Sequence, residues 1–201
     1  MSVADGVSQQ GGVLALGGVP LDRALAALRR LEPGASACWV YDLDLIEARA
    51  RRFQAALAPL GVHAGYALKA NALPAILRRV RAAGLAAEAG SLGELRAAEY
   101  QGFAAAERIL NGNGRTPQEA EFAAREGVHS VNADHIGELD LIEEHAGRAG
   151  ATVRVAQRVP GEHVDQAVHV ARDKVHRPPG DPASGGRLDV FPPGIGGAAV
   201  V

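Results

Sequence analysis

Five short apolar runs begin near Val62, Leu85, Arg108, Val128 and Val153, about 23 residues apart, and amphipathic segments at helical spacing separate them. The helical segments run from Pro74 to Ala83, from Leu92 to just before Gly102, from Pro117 to Glu126 and from His135 to about Ala146. Before them, Ala37–Tyr41 reads as one more strand and Leu43 to about Leu57 as its helix. Short strands alternating with helices of this length imply βαβ units and a parallel sheet, because parallel strands need a crossover connection. So even a rhythm suits a (β/α)8 barrel better than a doubly wound sheet. A complete barrel typically takes about 250 residues, and here the rhythm stops after some five strands. The fold class predicted is therefore α/β, a partial (β/α)8 TIM-type barrel.

Composition divides the 201 residues into three parts. Residues 1–36 are an N-terminal extension, Gly-rich around one short helix from Leu21 to Leu31. Residues 37–159 hold the partial barrel. Residues 160–201 contain 6 of the 11 prolines and 7 of the 25 glycines, so an irregular tail is expected. Such a half barrel would leave its first and last strands without neighbours to pair with. With 21 Lys and Arg against 23 Asp and Glu, the net charge of −2 gives no case for nucleic acid or an anionic membrane surface. No uncharged apolar stretch approaches the roughly 20 residues that span a bilayer, and the N-terminus lacks the basic start of a signal peptide. The lone Cys38 excludes an internal disulfide framework and a Cys-rich zinc site. A cytoplasmic protein is expected.

Only two lysines, Lys69 and Lys174, stand among the basic residues. Lys69 closes the run Gly65-Tyr66-Ala67-Leu68 and is followed by Ala70-Asn71. In a barrel, the C-terminal ends of the strands form the active-site face. A lysine there either snorkels into solvent or is partly desolvated. Desolvation in general frees an amine as a nucleophile for imine chemistry with a carbonyl group or pyridoxal phosphate. Glu88 ends the next apolar run on the same face and is the best carboxylate candidate. Ser91-Leu92-Gly93-Glu94 and Thr116-Pro117-Gln118-Glu119 read as capping boxes, the second strengthened by Pro117 at the first helical position. The exposed helix start at Ser91 could also face an anionic group. Asn111-Gly112-Asn113-Gly114 has neither dinucleotide nor P-loop spacing and reads as a turn beside a pocket. His129, His135 and His145 lack an acidic partner at ligand spacing, and no metal is expected.

Val40-Tyr41-Asp42-Leu43, Tyr66-Ala67-Leu68-Lys69-Ala70-Asn71, Ser91-Leu92-Gly93-Glu94-Leu95 and Asn111-Gly112-Asn113 follow one another in an order and spacing that resemble fold-type III pyridoxal-phosphate-dependent decarboxylases. The resemblance covers roughly residues 36–159 and is nearest to the diaminopimelate branch. It implies that Lys69 forms the imine with pyridoxal phosphate, and that Glu88, where the family has an aspartate, lies near the cofactor. It further places Ser91 in the family's Ser-Gly-Gly-Glu-Leu stretch, with Leu92 in place of a glycine. Arg158 falls at the family's Arg-Val-Asn-Pro strand end, although here the chain reads Arg158-Val159-Pro160.

By resemblance the substrate is a small amino acid, meso-diaminopimelate converted to L-lysine and CO2, ahead of ornithine, arginine or carrier-bound glutamate. An alanine-racemase-like barrel is the alternative enzyme, a pseudoenzyme or interaction module the alternative without catalysis. A homodimer is implied by the family. From residue 160 onward the family's motifs do not continue, which reads as a frameshifted or truncated gene and an inactive form, with a genuine short paralogue carrying its own tail as the alternative.

Overall fold

A computed structural model describes residues 6–157, 187–189 and 198–200. The chain opens with β1 (Val7–Gln10), β2 (Val13–Leu16) and β3 (Val19–Pro20), an antiparallel three-stranded sheet in the order β1-β2-β3. Gly11-Gly12 and Gly17-Gly18 turn the chain between these strands, all four at positive φ, the combination that suits two-residue hairpin turns. Helix α1 (Leu21–Leu31) follows where expected, then α2 (Leu43–Leu57), whose cap Asp42 accepts a 2.9 Å hydrogen bond from the Leu45 N–H. The small sheet comes close to the same carboxylate: a Cβ on Gly17 would stand 2.6 Å from Asp42 Oδ2.

The main body is β4 (His63–Ala67), α3 (Pro74–Ala82), β5 (Ala86–Ala89), α4 (Leu92–Tyr100), β6 (Arg108–Leu110), α5 (Pro117–Glu126), β7 (Ser130–Ala133), α6 (Ile136–Ala149) and β8 (Thr152–Gln157). Strands β4 to β8 pair in sequence order and all in parallel. This is the partial barrel, with its five parallel strands. Helix α5 shows how local chemistry sets the bounds. Thr116 and Glu119 form a reciprocal capping box, Pro117 opens the helix, and Gly127 closes it in the left-handed region at φ 67°. Helix α6 outruns its expected end by three residues because Gly150, at φ 60°, supplies the next left-handed stop.

Leu110, Val131 and Val155 sit side by side in register and join Phe122, Ile142 and Ala146 of the helices in the largest buried cluster. Gly65, Glu88 and Ile109 belong to the other, concave face: a Cβ on Gly65 would lie 3.7 Å from Glu88 Cβ and 3.8 Å from Ile109 Cδ1.

Three expectations need correction. Ala37–Tyr41 is not a strand; it is an extended connection with Trp39 89% exposed. The small N-terminal sheet was not anticipated. The edges of the barrel sheet are not bare, since β9 (Arg187–Asp189) pairs in parallel with β8 and β10 (Ala198–Val200) with β4, giving the order β10-β4-β5-β6-β7-β8-β9. A segment read as irregular from its Pro and Gly content thus contributes two three-residue strands.

Candidate functional site

The loops after β4, β5 and β6 enclose a cavity of about 250 Å3 at the C-terminal ends of the strands. Lys69 and Glu88 both line it, together with Gly90 and Glu94 from the β5–α4 turn and Asn111, Gly112 and Asn113 from the β6–α5 loop. The strand ends bring together what lies nineteen residues apart in sequence, since Ala67 pairs with Glu88 across the β4–β5 ladder.

Lys69 sits in a single 3-10 turn, Leu68–Ala70, which follows β4 directly. Leu68 is buried in the core and holds that turn down, while Lys69 is exposed, the first of the two alternatives open for a lysine at this place. Its exposure follows from its place past the last ladder pair, where the turn lifts the side chain away from the packed sheet. Asn71 then braces the turn: its carbonyl accepts from the Tyr66 hydroxyl at 3.1 Å, and its side-chain oxygen accepts from the Leu73 N–H at 3.0 Å. Burial, and secondarily the neighbouring Tyr41, pushes the Tyr66 phenol's pKa above its ordinary value.

Glu88 is 5% exposed. Its Oε1 accepts a short hydrogen bond from Asn111 Nδ2, and its Oε2 is buried with no hydrogen-bond partner among the described residues. A buried acceptor without a donor is costly, roughly 1–3 kcal/mol, and this one belongs to a residue that lines the same cavity as Lys69. Asn111 is fixed in turn through its N–H to the Ala89 carbonyl at 2.7 Å and its Oδ1 to the Gly112 N–H at 3.0 Å. Gly112 has φ 141°, and a Cβ there would stand 2.5 Å from the Gly90 carbonyl oxygen. Only glycine lets these two cavity loops touch.

A repeated device ties the loops to their helices. The third residue of α4, α5 and α6 is a glutamate in each case: Glu94, Glu119 and Glu138. Glu94 accepts from the Gly90 N–H at 2.6 Å. Glu119 accepts from the Thr116 N–H at 2.9 Å and, across to the neighbouring unit, from the Leu92 N–H at 3.2 Å. Glu138 accepts from the Asp134 N–H at 2.8 Å and from the Arg115 N–H of the preceding loop at 3.1 Å. The Ser91 phrase is therefore only half a capping box. Ser91 Oγ accepts from the Glu94 N–H at 3.3 Å, but Glu94 reaches back to Gly90, which lets its side chain line the cavity.

Of the four residues singled out in the sequence, the structure brings Lys69 and Glu88 into one cavity. Ser91 caps α4 one residue beyond the lining Gly90, with its hydroxyl proton still available to donate. Arg158 lies outside the described residues. Arg115 and Glu138, both buried, escaped notice; the Glu138 position could have been found from the third-residue glutamate that it shares with Glu94 and Glu119. Among the described residues no group of His, Cys, Asp and Glu is arranged to hold a metal ion, and no helix is long and apolar enough to cross a membrane.

A primary amine and a buried carboxylate line one cavity at the strand ends of a parallel α/β barrel, the face on which such barrels carry their sites. Residues 43–172 match the family described as pyridoxal-dependent decarboxylase, pyridoxal binding domain, and the chain belongs to it. It is 36% identical over 121 residues to L-glutamyl-[BtrI acyl-carrier protein] decarboxylase of Niallia circulans, covering 60% of this chain and 28% of that protein. It is 33% identical over 135 residues to diaminopimelate decarboxylase of Zymomonas mobilis, covering 66% and 32%. The crystal structure of diaminopimelate decarboxylase from M. jannaschii in complex with L-lysine superposes with a TM-score of 0.64 at 28% identity, over 77% of this chain and 36% of that one. The chain thus spans about a third of the length of the relatives it matches. The cavity fits the family's cofactor in its chemistry: an amine for the aldehyde, an unmet buried acceptor for a proton-bearing group, and a glycine-lined wall.

Proposed function

We propose that this chain binds pyridoxal phosphate at the Lys69 cavity and serves the decarboxylation of an amino acid, with meso-diaminopimelate as the substrate. The observation that carries the reading is the convergence of Lys69 and the half-satisfied Glu88 on one cavity at the strand ends. Bound there, pyridoxal phosphate supplies an electron sink for the pair left on Cα when the carboxylate departs as CO2. Lys69 tethers the cofactor through its amine. Glu88, held by Asn111 through Oε1, offers Oε2 to a proton-bearing group and keeps that proton at a fixed place. Ser91 is assigned to the cofactor's anionic end through its hydroxyl proton, and Arg158, outside the described residues, is placed near the cofactor by the resemblance alone. The two loops that meet at Gly90 and Gly112 wall one side of the cavity from water.

Diaminopimelate is favoured because proteins named as its decarboxylase recur among the relatives and the superposed neighbour holds L-lysine, the compound left when diaminopimelate loses one carboxylate. The 36% identity to an L-glutamyl-[acyl-carrier protein] decarboxylase supports a second substrate class, a carrier-bound glutamyl group. A homodimer is proposed from the family alone. The test is absorbance titration of the chain with pyridoxal phosphate, followed by addition of meso-diaminopimelate, ornithine, arginine or a glutamyl thioester. Perturbation of the cofactor band by diaminopimelate at the lowest concentration is expected. Preference for another compound reassigns the substrate, and failure to bind pyridoxal phosphate overturns the whole reading.

A further inference from the structure

Arg115 sits on the β6–α5 loop, behind the cavity wall and only 8% exposed. Its Nη2 donates to the Gly112 carbonyl at 3.3 Å and to the Asn132 carbonyl at the end of β7 at 2.5 Å. Its main-chain N–H donates to Glu138 Oε1, and Glu138 is itself 3% exposed. Burial pulls the guanidinium's pKa down from its ordinary value, while Glu119, Glu138 and Asp134 oppose the shift. A buried guanidinium costs desolvation that an apolar side chain of similar volume would not, so the contacts it makes are where a role for it is to be sought. Here one terminal nitrogen, Nη2, joins the β6–α5 loop to strand β7, while Nε is buried with no hydrogen-bond partner among the described residues; one of the two acceptors belongs to Gly112, which lines the cavity with Asn111 and Asn113.

We infer that Arg115, backed by Glu138, is a positioning residue for the Lys69 cavity. It fixes the Asn111–Asn113 loop against Gly90, and through Asn111 it sets where the Glu88 carboxylate stands. The chain of contacts is continuous: Arg115 to the Gly112 carbonyl, the Gly112 N–H to Asn111 Oδ1, and Asn111 Nδ2 to Glu88 Oε1. No part of it touches the cofactor site directly except Glu88 and the loop itself. The inference rests on the cofactor reading for its consequence but not for its geometry.

The test compares the unaltered chain with Arg115→Met and Arg115→Lys, and adds Arg125→Met on the exposed face of α5 as a control. Hydrogen exchange over residues 111–114 is followed without any cofactor, and capture of pyridoxal phosphate at Lys69 is followed by its absorbance band and by borohydride trapping. Arg115→Met is expected to speed exchange in that loop and weaken capture by about tenfold or more, since small misplacements of a site are costly. Arg115→Lys, which keeps a charged donor but on a shorter side chain, should restore part of the capture if it also restores part of the protection. Should Arg115→Met fail to fold, Arg115→Lys and Glu138→Gln carry the test through the same two readouts. Unchanged loop exchange and unchanged capture in a folded Arg115 variant overturn the inference. If the unaltered chain takes up no pyridoxal phosphate, the cofactor reading fails, and the exchange measurement alone still decides whether Arg115 holds the loop.

Discussion

Helices α1 and α5 carry apolar residues at the same helical spacing, yet no residue of α1 is buried while Ala120, Phe122, Ala123 and Ala124 of α5 are. The difference lies in what each helix finds opposite. Helix α5 rests on a parallel sheet whose register presents Leu110, Val131 and Val155 as one apolar surface. Helix α1 adjoins a sheet of three short strands in which Ala15 is the one buried hydrophobic residue. An amphipathic stripe is a request for a partner, and tertiary packing decides whether it is met.

The sharpest way to break this comparison is to remove the same group from both regions. Leu110→Ala empties a fully buried site between sheet and helices and should cost about 2–5 kcal/mol in denaturant unfolding. Leu31→Ala, at a side chain 83% exposed, should stay within about 0.5 kcal/mol. Comparable losses would show that the N-terminal part packs as tightly as the barrel.

Glycines give the next largest contrast. At Gly112 a Cβ meets the Gly90 carbonyl at 2.5 Å, whereas at Gly11 it meets nothing within 4 Å. Both positions have positive φ, so both alanine variants carry backbone strain of about 1–2 kcal/mol. Gly112→Ala should cost more than that in stability and also impair capture of pyridoxal phosphate, because the loop must move off Gly90. Gly11→Ala should leave capture unchanged.

The sequence made the barrel units legible because their signals are local. Thr116-Pro117-Gln118-Glu119 and Gly127 state where a helix begins and ends, and the apolar runs at even spacing state the sheet. Lys69 and Glu88 were legible for the same reason, since each lies at or just past the C-terminal end of a strand and strand ends share one face. Ala37–Tyr41 has a strand's composition but no neighbour to complete its hydrogen bonds, and the edge of β4 is paired instead with Ala198–Val200. No local signal reports such competition. The Gly-Gly pairs at 11–12 and 17–18 were visible hairpin signals that the helix at Leu21 overshadowed. Burial of Arg115 depends on Glu138 and Asn132, which come from later units, and no pattern around residue 115 announces it.

Caps sharpen the comparison by being alike. Thr116 caps α5 in the barrel and Asp42 caps α2 beside the small sheet, and each accepts from a main-chain N–H three residues on. Replacement by alanine should cost about 1 kcal/mol at either site. A much larger loss at Asp42 would show that its contact with the Gly17 turn anchors the N-terminal sheet.

The smallest effect expected is a dependence on pH. Burial first, then the charge of Arg154 and the nearby His63, lower the His129 pKa below its usual value, with a main-chain hydrogen bond to the Ala106 carbonyl opposing. The unfolded chain therefore takes up this proton before the folded one does. His129's contribution is complete above about pH 6.5 and is lost as the pH falls through the lowered value. Between about pH 7.5 and pH 5 the unaltered chain should lose more stability than His129→Gln. An equal loss in both would assign the acid sensitivity elsewhere.

The central claim is that the strand-end cavity of the barrel units places one amine for pyridoxal phosphate. Borohydride reduction of the full chain with pyridoxal phosphate, followed by peptide mapping, tests it most directly. Label confined to Lys69, and absent from Lys69→Ala, is the result the cavity dictates; equal labelling of Lys174 and the N-terminal amine would contradict it.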